Sequence, residues 1–251
     1  MPSEAVQTSG KVSEEKSRKP RNVWVVIIYV VLVLGLDTLG NYNYRWPDLI
    51  VLKWGYWASV WIAPYTNQLS VYIKAPLASF DLFKFLFWFV IPVLWCWRGM
   101  DWKAWNKERW TKLERGLLKA AIIVIPVSMF LIPYIPGINQ YYHGMNRGGG
   151  IDWAAAFLML VWTVSWLPGW EFMHRYLLLG AVHKKWPKWG WLLVPISEFV
   201  YHLQKPPIEA GLMFAFGLVL TWYAVKRENF RFPFFMHLIV ELSLILWLYI
   251  F

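Results

Sequence analysis

Long apolar runs are the feature that most constrains the fold of this chain. Blocks of about 15–20 apolar residues, which is the length that a helix needs to cross a bilayer, recur through the 251-residue sequence. The chain is 58% hydrophobic and 16% charged, whereas soluble domains carry about 25% charged residues. The 20 Trp and 13 Tyr residues fit the headgroup level, where these rings concentrate. The sequence therefore predicts an all-α polytopic membrane protein in contact with the lipid bilayer.

The charge distribution also fits a membrane protein. The formal net charge is +10, but the basic residues lie between the apolar blocks, as in cytoplasmic loops. No compact basic domain indicates a nucleic-acid partner. Cys96 is the only cysteine, which excludes an internal disulfide and a cysteine-based zinc site. Its apolar neighbours predict that Cys96 is buried filler.

Polarity divides the start of the chain into a tail and a helix. Residues 1–21 are polar and end in Ser-Arg-Lys-Pro-Arg, which predicts a disordered basic tail. The apolar run from Val23 to about Leu39 has no small-residue cleavage site after it. It therefore resembles an uncleaved signal anchor. The basic residues before this run predict a cytoplasmic N-terminus.

Further N-terminal transmembrane helices are predicted within residues 22–150. Residues 80–97 and 117–135 each predict a span, whereas the Trp-rich segment 48–64 predicts an interfacial or re-entrant helix, with a span as the alternative. Residues 98–116 contain six Arg or Lys, three Asp or Glu and three Trp. This composition predicts an amphipathic helix on the cytoplasmic surface.

The second half of the chain, residues 151–251, has interrupted apolar runs. One run continues to Val182 across Pro168-Gly169, and a last helix is predicted from Phe234 to Phe251. Between them, two short helices are predicted at about 190–203 and 210–225, separated by Gln-Lys-Pro-Pro. Together with the N-terminal runs, the pattern predicts about six to eight transmembrane helices.

The Pro168-Gly169 interruption allows two topologies. If residues 151–182 cross the membrane once as a kinked helix, the basic segments 98–116, 183–189 and 226–231 all lie on the cytoplasmic side. If the dipeptide forms a hairpin turn, the last two segments lie outside. The excess of basic residues in cytoplasmic loops favours the single kinked crossing.

Three pairs of ionisable residues interrupt the apolar runs of the second half, all with i,i+4 spacing: Glu171 and Arg175, Glu198 and His202, His237 and Glu241. On a helix each pair lies on one face. One such pair alone could be a neutralised polar lock between helices. Three pairs on three helices are satisfied at lowest cost by facing one another. The sequence therefore predicts a shared intramembrane polar cavity.

The order of the helices places a geometric demand on this cavity. His202 is late in its helix and His237 is early in its own, and the intervening helix makes those two helices run parallel. The histidines can meet only if the 190–203 helix ends inside the membrane, where broken backbone is tolerated beside a cavity. A separation of more than about 10 Å, one helix diameter, would argue against a shared site.

The other ionisable residues are predicted to lie beside the site, at the surface or at the ends of spans. His174 lies on another helix face from Glu171 and either supports the site or packs in the core. His143 and His183 are predicted to be surface residues. Three further residues are predicted to lie at the ends of spans: Asp37, Asp81 and Lys84.

The three polar motifs resemble those of a known family. "WEFMHRYLLLG" is similar to the E-E-x-x-x-R motif of the CAAX-protease and bacteriocin-processing (CPBP) membrane proteases. "EFVYH", residues 198–202, resembles the family's F-x-x-x-H motif, and "HLIVE", residues 237–241, resembles its H-x-x-x-N motif. The resemblance covers roughly 151–251 and implies that this segment is a helical catalytic core.

The resemblance implies an intramembrane endopeptidase that acts on a peptide or protein substrate in or near the membrane. A glutamate would activate water with histidine partners and without an obligatory metal. The implied catalytic residues are Glu171, Arg175, His202, His237 and Glu241. Arg175 would orient the site, and Glu171 would be the base.

Three positions depart from the family pattern. Trp170 stands where the family keeps its first glutamate, usually the base. Glu198 replaces the Phe of the second motif, and Glu241 replaces the Asn of the third. Glu198 could therefore supply the missing second carboxylate. The Trp170 substitution also leaves a different class open, a non-catalytic immunity or scaffold protein of the membrane.

Zinc is a further alternative to the metal-free mechanism. Two histidines and a carboxylate are a ligand set that zinc accepts. In this sequence the set would be His202, His237 and Glu241. The chain lacks the H-E-x-x-H pattern of zinc proteases, and the metal-free mechanism is favoured.

Overall fold

The computed structural model describes residues 22–39, 80–99, 110–135, 138 and 151–249. The tail 1–21, the segment 48–64, His143 and most of 98–116 lie outside these residues, so the predictions made for them stay predictions. The described part contains no strand and has seven main helices: α1 Val23–Leu39, α2 Leu82–Cys96, α3 Lys112–Met129, α4 Trp153–Lys185, α5 Leu193–His202, α6 Pro207–Arg227 and α7 Arg231–Tyr249.

Three of these helices, α4, α6 and α7, are long and apolar enough to cross a membrane, and α1 and α2 are shorter apolar helices. Their apolar side chains face outward in large numbers, including Val164 on α4 and Val219 on α6. Lipid is the environment that such surfaces require. The prediction of an all-α integral membrane protein is confirmed, whereas the count of six to eight spans stays a prediction.

Helix α4 runs through Pro168 and Gly169 as one helical segment of 33 residues. A continuous helix is therefore observed at Pro168-Gly169 instead of the hairpin turn. At about 1.5 Å per residue, α4 is about 50 Å long, which exceeds the roughly 30 Å hydrocarbon core. Its last turn carries His183, Lys184 and Lys185. Gly169 allows α2 to pack closely, because a Cβ there would lie 2.8 Å from the Trp88 Cβ.

The ends of α4 and α7 define the topology of the second half. The Asp152 amide donates to the Tyr249 carbonyl at 2.8 Å, so the start of α4 lies beside the end of α7. The two helices are therefore antiparallel, and the basic end of α4 lies at the same end of the bundle as Arg231. The basic segments 183–189 and 226–231 share one end, as the single crossing requires. The cytoplasmic orientation of that end stays a prediction.

The starts of α6 and α7 both differ from the prediction. Helix α6 begins at Pro207 instead of 210 because Pro suits the first turn of a helix. It ends at Arg227, where Glu228 adopts a left-handed conformation with φ 48°. The Asn229 side chain then accepts from the Arg231 amide, so α7 begins at Arg231 instead of Phe234. The second "short" helix is thus a candidate span of 21 residues.

The start of α3 is also earlier than predicted. Thr111 and Glu114 form a capping box, in which each side chain accepts from the other residue's backbone amide. This cap starts the helix at Lys112, so residues 112–116 are the first turns of α3. They were predicted as the end of the separate surface helix 98–116.

The core surrounds the middle of α4. Trp170, Met173 and Leu177 of α4 are almost fully buried and pack with residues of α1, α2 and α5 in one apolar cluster. Cys96 belongs to the same cluster and is fully buried, as its apolar neighbours predicted. The rigid centre of α4 thus carries the Glu171–Arg175 turn.

Candidate active site

Glu171 is the point at which the two antiparallel spans α4 and α7 meet through polar atoms. Its Oε1 atom lies 2.8 Å from Arg175 Nη1 on the same helix. The same oxygen lies 2.7 Å from His237 Nδ1 on α7. Because Glu171 is 1% exposed, this carboxylate depends on these two partners for compensation of its buried charge.

Arg175 brings a second carboxylate to the same place. Its Nη1 atom lies 3.0 Å from Glu198 Oε1 on α5. The Glu198 side chain is 1% exposed, and neither of its oxygens has a directed hydrogen bond to a described residue. The contact is therefore an ion pair without good hydrogen-bond alignment. Glu171, Arg175, Glu198 and His237 are called the glutamate–arginine cluster below.

The Arg175 turn is a π-helical segment, Met173–Leu178, inside α4. Single π-helical turns inside α-helices are frequent at functional sites because they change the register of the following residues. Here the turn carries Arg175 to a position where its guanidinium contacts both α4 and α5 carboxylates.

Gly217 makes room for the Glu198 carboxylate. Gly217 lies in the middle of α6, and a Cβ added to it would collide with Glu198 Oε2. The absence of a side chain on α6 therefore lets α5 and α6 pack while the carboxylate stays between them. No sequence motif assigned a role to this glycine.

His237 is oriented by α4 and flanked by aromatic rings. Its Nδ1 atom faces Glu171, and its Nε2 atom lies 3.7 Å from Glu241 Oε1, which is too long for a hydrogen bond. The rings of Trp166 and Phe216 lie 5.8 and 6.1 Å from the imidazole. The Glu241 side chain is 14% exposed, so this edge of the site is the less buried one.

His202 is held by the backbone of its own helix. Its Nδ1 atom lies 2.7 Å from the Glu198 carbonyl oxygen. Since a carbonyl can only accept, Nδ1 is the protonated nitrogen and Nε2 is left for other partners. The two histidines are thus connected through Glu198, Arg175 and Glu171. Their predicted separation of less than one helix diameter stays a prediction.

Trp170 occupies the position that the resemblance assigns to the family's first glutamate. Its side chain is 1% exposed and its ring lies 4.1 Å from the His174 ring, 5.1 Å from Tyr201 and 5.6 Å from His202. His174 is fully buried and its Nδ1 lies 3.0 Å from the Trp170 carbonyl. His174 therefore packs against Trp170 in the core, which was one of its two predicted roles.

The residues predicted to lie at span ends form a second polar cluster. Lys84 Nζ lies 3.5 Å from Asp81 and 3.8 Å from Asp37, and the Tyr201 hydroxyl donates to Asp37 at 2.6 Å. Asp37, Asp81 and Lys84 are called the aspartate–lysine cluster below. Its link to Tyr201 could not be predicted from the sequence. The only signal was that three ionisable residues flank two consecutive apolar runs.

The described residues do not fit the zinc alternative as they are placed. Among them, no group of three His, Cys, Asp or Glu side chains is arranged to hold a metal ion. His202, His237 and Glu241 therefore do not form a ligand set in this arrangement, and no step proposed below passes through a metal.

Comparison with known proteins supports the resemblance of the motifs. Residues 151–243 match the family model described as type II CAAX prenyl endopeptidase Rce1-like. The match is to this part of the chain, which is less than half of its length. The match extends from just before α4 to two residues beyond Glu241, so it contains all three motifs. Comparisons with curated proteins and with solved structures gave no match.

The family assignment confirms the resemblance to the CPBP membrane proteases. The family is one of proteases, and α4, α6 and α7 place its segment in membrane-crossing helices. The matched segment does not include α1, α2 or α3, although α1 and α2 pack against its centre.

Proposed function

We propose that this protein is an intramembrane endopeptidase that hydrolyses a peptide bond of a membrane-associated substrate. One observation carries the proposal: two buried carboxylates on different helices, Glu171 and Glu198, share the Arg175 guanidinium, and His237 contacts one of them. Buried charges are costly unless they are paired. A cluster of four ionisable residues, three of them in helices long enough to cross a membrane, is most readily explained by chemistry performed there.

Glu198 is the base in this proposal. Two donors already occupy Glu171 Oε1, so that oxygen is engaged in holding Arg175 and His237. Glu198 has only the poorly aligned contact with Arg175. Glu198 thus supplies the carboxylate that Trp170 removes from the first motif, while Glu171 holds Arg175 and His237 in place.

The two histidines complete the set of groups that peptide hydrolysis needs. His237 acts as an imidazolium, in which both ring nitrogens donate. Its Nδ1 donates to Glu171, and its Nε2, on the less buried Glu241 edge, donates to the carbonyl oxygen of the scissile bond. The free Nε2 of His202 orients the attacking water by accepting one of its hydrogen bonds. Glu241 lies beside His237 Nε2 and orients that ring from the other side.

The reaction step then balances as an ordinary hydrolysis. The water oxygen forms a bond to the carbonyl carbon while Glu198 takes one water proton. The C–N bond breaks, and Glu198 returns the proton to the leaving nitrogen. The products are a carboxylic acid and an amine, and the site is regenerated without a covalent enzyme intermediate.

The matched family is described as a CAAX prenyl endopeptidase, so prenylated CAAX peptides are the first substrates to test. A prenyl chain would anchor such a peptide in the bilayer beside α4, α6 and α7. Unprenylated apolar peptides of the same sequence form the comparison, since they separate recognition of the lipid from recognition of the peptide.

The test is cleavage of these peptides by the protein in lipid vesicles. We expect cleavage by the wild type and none by the Glu171→Gln/Glu198→Gln double variant. Glu209→Gln is the matched control, because Glu209 of α6 pairs with Lys205 at 2.7 Å outside the cluster. Wild-type cleavage that the double variant retains would contradict the proposed site. Inhibition by 1,10-phenanthroline, reversed by zinc, would favour the metal-dependent alternative.

The non-catalytic alternative also has one supporting observation. The buried Trp170 ring fills the position of the family's first glutamate and packs against His202. A scaffold protein of this kind would bind membrane peptides without cutting them. Peptide binding by the wild type together with no cleavage across the whole panel would favour this alternative over the protease.

A further inference from the structure

The aspartate–lysine cluster connects the N-terminal helices to the candidate site through one tyrosine. Tyr201 lies on α5 between the site residue His202 and the rest of the core, and its hydroxyl donates to Asp37 Oδ2 of α1 at 2.6 Å. The same Asp37 oxygen lies 3.8 Å from Lys84 Nζ of α2. Three helices thus meet at one carboxylate oxygen.

The second helix is itself fixed at this point. Asp81 caps the first turn of α2 by accepting from the Lys84 amide at 3.0 Å, and the Asp81 amide donates to Ser165 of α4 at 3.1 Å. Lys84 Nζ also lies 5.1 Å from the ring centres of Trp88 and Trp162. The ammonium is therefore placed by carboxylates and by the faces of two aromatic rings.

The ring of Tyr201 connects these helices to the site by packing against its residues. It packs 5.1 Å from Trp170, 5.7 Å from Trp88 and 5.7 Å from its neighbour His202. Trp170 in turn packs edge-on against His202 at 5.6 Å. With its hydroxyl held by Asp37 and its ring held between tryptophans, Tyr201 limits the positions available to Trp170 and to the His202 imidazole.

We propose that Tyr201 is a positioning residue for His202 and that Asp37 and Lys84, which lie outside the matched family segment, hold its hydroxyl for that purpose. The N-terminal helices would then contribute to catalysis and not only to anchoring. The catalytic part of this inference rests on the proposed protease function. The geometric part, that Tyr201 fixes the His202 imidazole, does not.

The test compares Tyr201→Phe with Tyr29→Phe. Tyr29 is the matched control because its hydroxyl also bridges α1 to another helix, donating to the Phe87 carbonyl of α2 at 2.5 Å. Tyr29 has no contact with the site among those described. Both variants lose one interhelical hydroxyl, so the loss of stability should be similar, and only Tyr201→Phe should affect His202.

Two readouts separate the geometric inference from the protease function. For cleavage, we expect the Tyr201→Phe variant to lose about tenfold in kcat with KM unchanged, which corresponds to losing one hydrogen bond to a charged group. For geometry, we expect diethyl pyrocarbonate to modify His202 faster in Tyr201→Phe than in the wild type, measured by mass spectrometry of the His202 peptide. Tyr29→Phe should change neither readout.

Each outcome of these experiments tests either the geometric inference or the protease function. If Tyr201→Phe matches Tyr29→Phe in both kcat and the rate of His202 modification, Tyr201 is not a positioning residue. If the wild type cleaves nothing but His202 is modified faster in Tyr201→Phe only, the protease function fails and the geometric inference stands. Asp37→Asn should reproduce the Tyr201→Phe effect, and the double variant should be no worse than either single variant.

Discussion

The two charged clusters of this molecule both pair carboxylates with a cation, but they differ in how tightly the charges are held. In the glutamate–arginine cluster the charged side chains are 1% exposed in both ion pairs, with contacts of 2.8 and 3.0 Å. In the aspartate–lysine cluster the side chains are 13–21% exposed and the ion pairs measure 3.5 and 3.8 Å. The first cluster is shielded from solvent and depends on its partners, whereas the second is looser and partly accessible.

This difference indicates that the two clusters have different roles. Charges that are fully buried are expensive and are retained where chemistry needs them. Partly exposed charges can link helices at lower cost, because solvent compensates for imperfect geometry. We therefore assign the chemistry to the glutamate–arginine cluster and the placement of α1 and α2 to the aspartate–lysine cluster.

The largest expected effect comes from removing the central cation of each cluster. Arg175→Met leaves Glu171 and Glu198 buried without their shared partner, so we expect a loss of about 3–5 kcal/mol in unfolding free energy. Lys84→Met is the matched change in the looser cluster and should cost about 1 kcal/mol or less. Denaturation of both variants in micelles measures the difference. Equal losses would mean that the clusters do not differ as described.

Gly217 tests the packing around Glu198. We expect Gly217→Ala to destabilise the protein by about 1–3 kcal/mol, because the new Cβ collides with Glu198 Oε2 and forces α5 and α6 apart. Gly211→Ala is the control on the same helix. A Cβ at Gly211 has nothing within 4 Å, so that change should be neutral or stabilise α6 by up to about 1 kcal/mol. A stable, active Gly217→Ala protein would show that Glu198 does not need this space.

The smallest effect concerns the support of the aspartate–lysine cluster by α4. Ser165→Ala removes the acceptor of the Asp81 amide and should cost about 1 kcal/mol. Ser128→Ala serves as control, since the Ser128 hydroxyl donates to the Ile125 carbonyl of its own helix and is exposed. Thermal unfolding in lipid nanodiscs measures the loss of stability in both variants. If Ser165→Ala loses no more stability than Ser128→Ala, α4 does not support this cluster.

Much of the helical layout could be predicted from hydropathy and from the residues that interrupt helices. The apolar runs located α1, α2 and α5 to within a few residues, because each is bounded by basic or Pro-containing segments. The continuity of α4 through Pro168 followed from charge bias. The prediction was less accurate for α3 and α6, where local caps decide the boundaries: the Thr111–Glu114 box starts α3, and Pro207 starts α6.

The membership of the site could be predicted in part, because i,i+4 spacing fixes which residues share a helix face. That rule named Glu171, Arg175, Glu198 and His237, which the structure brings together. It could not find Tyr201 and Asp37, which are 164 positions apart in sequence. It also could not identify Gly217, because a glycine's role here is the space that it leaves beside another helix.

The central claim is that Glu198 is the base and that Glu171 holds the cluster. Single-turnover cleavage in vesicles, with Glu198→Gln, Glu171→Gln and the Glu209→Gln control compared at saturating substrate, tests it most directly. We expect Glu198→Gln to reduce the rate by about 10²–10⁴-fold, the usual contribution of a general base. Glu171→Gln should lose less, because its amide oxygen can still accept from Arg175. A larger loss in Glu171→Gln than in Glu198→Gln would contradict the account and make Glu171 the base.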